Sequence, residues 1–250
     1  MKRLMVMALL MSNLLLAKDY ALIIGISNYK TMGELSYVNK DIKIYKKILR
    51  DRGVRTTPKV LIDTQATKHA IESYLKRVAD EMKRNRHKNN RFFMFFAGHG
   101  VSTDNKNLKY NPHINKYLTD SGVILPYEFD ANNIANTIII GKRDLRPYLI
   151  EIDKYVNKSL IIVDACYAGK SIKGKLRVKK TPFVKSNSKD YPYNNILYIA
   201  SSTPRKEAKS GVLSKALNNC PIEENNIDRF KLCMNKELRY KSQVVVVINK

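Results

Sequence analysis

The sequence predicts a three-layer α/β fold, in which helices cover both faces of a mostly parallel β-sheet. Three observations carry this. Short apolar runs recur along the chain, they alternate with segments of helical apolar spacing, and the runs are apolar at nearly every position rather than every second one. A strand apolar on both sides is covered on both sides. Strands separated by helices pair in parallel.

The elements follow in order. Residues 20–26 (YALIIGI) predict a doubly covered strand. Residues 35–50 place Val38, Ile42, Tyr45, Ile48 and Leu49 at helical spacing, and Gly53 follows as a stop signal. Residues 59–62 form a short strand. Residues 67–86 put Ile71, Leu75, Val78 and Met82 on one helix face. Residues 91–97 (RFFMFFA) are a strongly apolar strand, and 123–125 a short one. A helix over 145–152 follows Asp144, with Pro147 tolerated in its first turn. Residues 159–165 (SLIIVDA) and 195–201 (NILYIAS) are two more strands. A helix over 227–240 and a β-branched strand over 243–248 complete the pattern.

The first seventeen residues are expected to lie outside this fold. Met1, Lys2 and Arg3 open a cationic head, residues 4–17 are an apolar stretch broken by Ser12 and Asn13, and Lys18 and Asp19 turn polar. That is the plan of a signal peptide, with cleavage expected after Ala17 and an exported, periplasmic or secreted product of residues 18–250. As a helix the stretch rises about 21 Å, short of the roughly 30 Å of a hydrocarbon core, so an uncleaved anchor is the weaker expectation. No later stretch is long enough to span a membrane.

Composition narrows the function. Hydrophobic residues are 44% of the chain, enough for a core, so wholesale disorder is excluded. Three cysteines are too few for a disulfide scaffold, and no CxxC or HxxxH spacing supports a structural zinc. Lysine and arginine number 46 against 22 acids, a net charge of +24. The cations are spread along the chain without an RNA-binding motif, which fits a basic protein in an anionic environment better than specific nucleic-acid recognition.

Ligands of parallel sheets bind beyond the carboxyl ends of the strands. Two such ends carry chemistry. Gly98-His99-Gly100 follows the strand at 91–97, and Cys166 follows the strand at 159–165. A histidine and a cysteine at neighbouring strand tips make a thiol nucleophile and its base. Singly, a buried cysteine is a small hydrophobe and a histidine a satisfied polar group; it is the pairing that is specific. The Gly100 and Cys166 amides could form an oxyanion hole. His69, His87 and His113 lie on a helix or in loops, away from strand tips.

These residues resemble the caspase-like cysteine peptidases (peptidase C14), within them the metacaspase and bacterial caspase-homologue branch. YALIIGISNYK is similar to the first strand of that family, FFAGHG to its histidine motif, GVILPYEFD to a segment of bacterial members, and LIIVDACYAG to its cysteine motif. IASSTPRKEA and GVLSKAL resemble the start of the small subunit. The resemblance implies a caspase-haemoglobinase fold with a six-stranded sheet, a large-subunit-like part over 18–169, a linker over 170–190 and a small-subunit-like part over 191–250. It implies that Cys166 attacks the scissile carbonyl and that His99 is general base and acid. No third, orienting residue is obvious.

The resemblance also bears on specificity. Asp164 stands where animal caspases carry glutamine, and Asp41 matches the other acidic specificity position of metacaspases. Two carboxylates in one pocket favour a basic substrate side chain and repel an acidic one. Alternatively, Asp164 only ends a strand and Asp41 only starts a helix, places where aspartate is common. Two departures are visible. Ala97 replaces a frequent serine, and between residues 100 and 122 the only acids are Asp104 and Asp120. Calcium sites need several oxygen ligands, so no cofactor and no metal dependence is expected.

The 170–190 linker holds eight lysines and arginines against Asp190, with serine, glycine and proline between them, and is expected to be an exposed flexible loop. A basic-specific peptidase could cut itself within 173–189; a solvated loop never cut is the equal alternative. A Cys220–Cys233 bridge, formed in an oxidising compartment, would leave Cys166 free. The expected activity is endopeptidase cleavage after Arg or Lys. Its competitors are a catalytically silent caspase-like scaffold, a basic protein binding anionic envelope polymers, and the related CHAT branch, whose cysteine context differs from DACYAG.

Overall fold

The apolar runs pair into one sheet. The computed structural model describes residues 17–101, 108, 110–118, 122–165, 183–185, 192–201, 211–222, 226–238 and 245–248. The expectations for the leader, for Cys166 and for most of the 170–190 linker fall outside those residues.

Strands β1 (Asp19–Gly25), β2 (Lys59–Ile62) and β3 (Asn90–Ala97) alternate with helices α1 (Val38–Asp51) and α2 (Lys68–Asn85). Strands β4 (Gly100–Val101), β5 (Val123–Ile124) and β6 (Ile139–Ile140) form a separate small antiparallel sheet. Helices α3 (Asn115–Leu118), α4 (Ile134–Thr137) and α5 (Arg146–Asp153) lie around it in sequence. Then come β7 (Val156–Asp164), β8 (Phe183–Lys185), β9 (Ile196–Ala200), α6 (Val212–Asn219), α7 (Ile227–Leu238) and β10 (Val245–Ile248).

The main sheet runs β2-β1-β3-β7-β9-β10-β8. The first five strands are parallel, β10 is antiparallel to β9, and β8 is parallel to β10. Among the described residues the sheet has seven strands, one more than the six expected. The extra one, β8, lies within the linker, so the expectation of a loop throughout 170–190 is corrected at residues 183–185. Phe183-Val184 is a β-forming pair too short to stand out among the lysines.

Side-chain parity separates the two cores. Leu22, Ile24, Phe92, Met94, Phe96, Ile161 and Val163 face α2 and α5, whereas Ile23, Phe93, Phe95, Leu160 and Ile162 face α1, α6 and α7. Burial of each such side chain contributes about 1.5–3 kcal/mol. The Thr67 hydroxyl caps α2 by accepting the Ala70 N–H at 3.1 Å. Gly53 ends α1 at φ +60°, a conformation that suits glycine.

Candidate active site

The register of the parallel strands aligns the two sequence motifs. Ala97, two residues before His99, pairs with Asp164, two residues before Cys166 in the sequence. Gly98 extends that ladder, its N–H donating to the Asp164 carbonyl at 3.2 Å. Gly25 of β1 pairs with Ala97 on the other side. The carboxyl ends of β1, β3, β7 and β9 thus lie at one end of the sheet.

His99 is held by a closed ring of hydrogen bonds. Its backbone N–H donates to the Tyr29 hydroxyl at 2.7 Å, and that hydroxyl donates to the Leu125 carbonyl at 3.1 Å. The Leu125 N–H returns to the His99 carbonyl at 3.0 Å. The Tyr29 and His99 rings lie 4.8 Å apart, centroid to centroid. Nε2 of His99 is 3.2 Å from the Gly33 carbonyl. A carbonyl only accepts, so this contact requires the proton on Nε2 and, in the neutral ring, leaves Nδ1 as the accepting nitrogen. Gly98 has to be glycine here, because a Cβ would fall 2.5 Å from the Tyr29 hydroxyl and 2.9 Å from the Phe96 ring.

Asp164 lies on the sheet face that α1 and α6 cover, by the same parity that puts Leu160 and Ile162 there. It is 6% exposed and Asp41, in the first turn of α1, is 2% exposed. Burial pushes the Asp164 carboxyl up to about 7, the negative charge of Asp41 adds to the rise, and the Ser201 hydroxyl opposes it. Burial likewise pushes Asp41 up to about 6, against a hydrogen bond from the Ser214 hydroxyl of α6. Neither acid has a cation partner among the described residues, and one Asp164 oxygen, Oδ2, has no hydrogen-bond partner. Tyr45, one turn after Asp41, is fully buried and stacked on Phe95 at 4.9 Å. Its phenol is raised by burial and by both acids. Ala97 shares this face and is buried.

A comparison with protein families finds that the model of the caspase domain, a peptidase family, matches residues 18–236. The chain belongs to the caspase-domain peptidases. A comparison with curated proteins finds no match. Membership makes it a cysteine-type peptidase by family, with protein substrates, and accounts for the α/β fold with its mostly parallel sheet.

In this caspase-domain chain the structure places three candidate residues at or near one sheet end: His99, Asp164 and Asp41. Gly100 begins β4 opposite Ile124. Cys166 lies beyond the last described residue of its motif, Ala165, whose N–H donates to the Ser201 hydroxyl at 3.1 Å. Cys220 and Cys233 are disulfide-bonded, joining the end of α6 to α7. Among the described residues no group of three or more histidines, cysteines or acids could hold a metal ion, and no helix is long and apolar enough to cross a membrane. Sequence reasoning missed Tyr29, the Gly33 carbonyl, Ser201 and Ser214. Tyr29 stands in the quoted YALIIGISNYK motif, so a signal existed for it. A backbone carbonyl has none.

Proposed function

We propose that the protein is an exported cysteine endopeptidase that cleaves after arginine or lysine with a His99–Cys166 dyad. The observation that carries the specificity is the pair of buried carboxylates, Asp41 and Asp164, with no cation beside either among the described residues. Unpaired buried charge is costly, and the guanidinium or ammonium of a substrate would relieve it. Arginine would add bidentate geometry.

In this reading Nδ1 of His99 takes the Cys166 proton, and the thiolate attacks the scissile carbonyl. The Gly100 and Cys166 amides hold the oxyanion. The imidazolium then protonates the leaving amine, and water hydrolyses the acyl-enzyme. The Gly33 carbonyl on Nε2–H supports the tautomer this needs. The leader residues support export, and the basic linker supports self-cleavage.

Active-site labelling tests the proposal. A peptide chloromethyl ketone ending in arginine should alkylate Cys166, as read by mass spectrometry. Labelling should be lost in Cys166→Ala and slowed at least about 100-fold in His99→Ala. Equal labelling by an aspartyl reagent, or labelling that His99→Ala leaves unchanged, would overturn it.

A further inference from the structure

The loop between β1 and α1 touches His99 twice, through the Tyr29 hydroxyl and the Gly33 carbonyl. What holds that loop is unusual. Asp63, directly after β2, has φ +45°, a left-handed conformation that costs most residues energy and that aspartate tolerates better. In that conformation its carboxylate accepts the Ser27 N–H at 2.7 Å, the Asn28 N–H at 3.0 Å and the Ser27 hydroxyl at 3.2 Å. The Leu35 N–H closes the loop on the Ser27 carbonyl at 2.9 Å. One carboxylate thus fixes the start of the loop, and the loop presents both groups to the histidine.

Tyr29 is well suited to hold a neighbour in place. It is 8% exposed, and its hydroxyl is used twice, as acceptor from His99 and donor to Leu125. Burial raises its phenol, which keeps the donating proton in place. The Leu125 N–H returns to His99, so the hydroxyl fixes the backbone on both sides of the histidine's Cα relative to the loop.

We infer that Tyr29 is a positioning residue for His99, and that Asp63 acts on the same histidine through the Ser27–Asn28 backbone. Together they hold the imidazole against the Gly33 carbonyl, so that Nδ1 stays unprotonated and aimed along one direction. This rests on the reading of His99 as general base. Without the Tyr29 hydroxyl the imidazole loses its fixed register with Gly33 and spends time in the other tautomer. Small misplacements of a catalytic group cost large factors in rate, while substrate binding is little changed.

The test uses the full-length chain purified in its active form. Tyr29→Phe keeps the ring and removes the hydroxyl. It should lower kcat by about 10- to 100-fold with KM changed less than about twofold. Ring-nitrogen NMR of His99 should show the Nε2–H tautomer dominant in the wild type and mixed in Tyr29→Phe. Asp63→Gly permits the positive φ but has no carboxylate, and should resemble Tyr29→Phe. Asp63→Asn keeps an acceptor and should recover most of kcat. If either kcat or the tautomer stays at the wild-type value in Tyr29→Phe, the inference is overturned. If Asp63→Gly is as active as wild type, the role of Asp63 is overturned. His99→Ala retaining full activity would instead remove the reading of His99 as base.

Discussion

Asp41 on α1 and Asp164 at the end of β7 are both buried, and the charge of Asp41 raises the proton affinity of Asp164. On the proposed reading, the two carboxylates are the receptor for a basic substrate side chain. On that reading, affinity for a basic side chain should depend on pH in a range where an ordinary aspartate would not titrate.

That range follows from the pKa values. Asp164 is pushed up to about 7 and Asp41 up to about 6. On the proposed reading, protonation of the pair below these values removes its attraction for arginine. KM for a peptide with arginine before the scissile bond should rise as pH falls from about 7 through about 6, by up to roughly tenfold per unit. Ser214 stabilises the Asp41 carboxylate, so Ser214→Ala should move this rise to higher pH. A KM flat between pH 5 and pH 8 would contradict the pocket.

Asp164→Asn should exchange function for stability. The carboxyl rises from 3.8 to about 7 on folding, so between those values the native state binds more protons than the unfolded chain. Stability from this group is therefore fully present below about pH 4 and lost as pH rises towards 7. Above 7 the buried charge is a net cost. The neutral amide should raise stability at pH 8 by on the order of 1–3 kcal/mol, with much less gain at pH 4. Cleavage after arginine should be lost. Thermal melts at the two pH values give the comparison, and a lowered Tm at pH 8 would refute it.

Gly98→Ala tests the packing behind the histidine. The added methyl would meet the Tyr29 hydroxyl at 2.5 Å and the Phe96 ring at 2.9 Å, and both rings are buried. The strand end should shift and kcat should fall by more than about tenfold. A fully active Gly98→Ala enzyme would show that Tyr29 does not sit against this strand tip.

The Cys220–Cys233 bridge closes a short loop between α6 and α7, with 13 residues of separation. Replacing both cysteines by serine should cost on the order of 2–3 kcal/mol, seen as a lower Tm under oxidising conditions. A reductant should lower the wild-type Tm similarly and leave the double variant unaffected. Three titratable thiols in the purified native protein would contradict the bridge.

The central strands and long helices were legible because their signals are long. The burial of β1, β3 and β7 on both faces follows from YALIIGI, RFFMFFA and SLIIVDA, and the amphipathic face of α2 from Ile71, Leu75, Val78 and Met82. Strands β4, β5 and β6 have two residues each, below any period, and only β5 stood out. Helix α6 was quoted as a motif and not as a helix, although Leu213, Ala216 and Leu217 face the core. His99 could be named because it follows a strongly apolar strand, whereas Asp164 and Asp41 could be named only through the family resemblance, since aspartate is common at strand ends and helix starts. Tyr29 and Ser214 act on residues 70 and 173 positions away. Contacts at that range are made by folding, and no local spacing announces them.

The most direct measurement of the central claim is steady-state cleavage of matched reporter peptides with arginine, lysine or aspartate before the scissile bond, with and without calcium. The purified chain would be run beside its Cys166→Ala variant, and a sample trimmed within the 170–190 linker would be included. The account predicts cleavage after arginine and lysine, none after aspartate, no calcium requirement, and complete loss in the variant. Cleavage only after aspartate, or activity that survives Cys166→Ala, would contradict it.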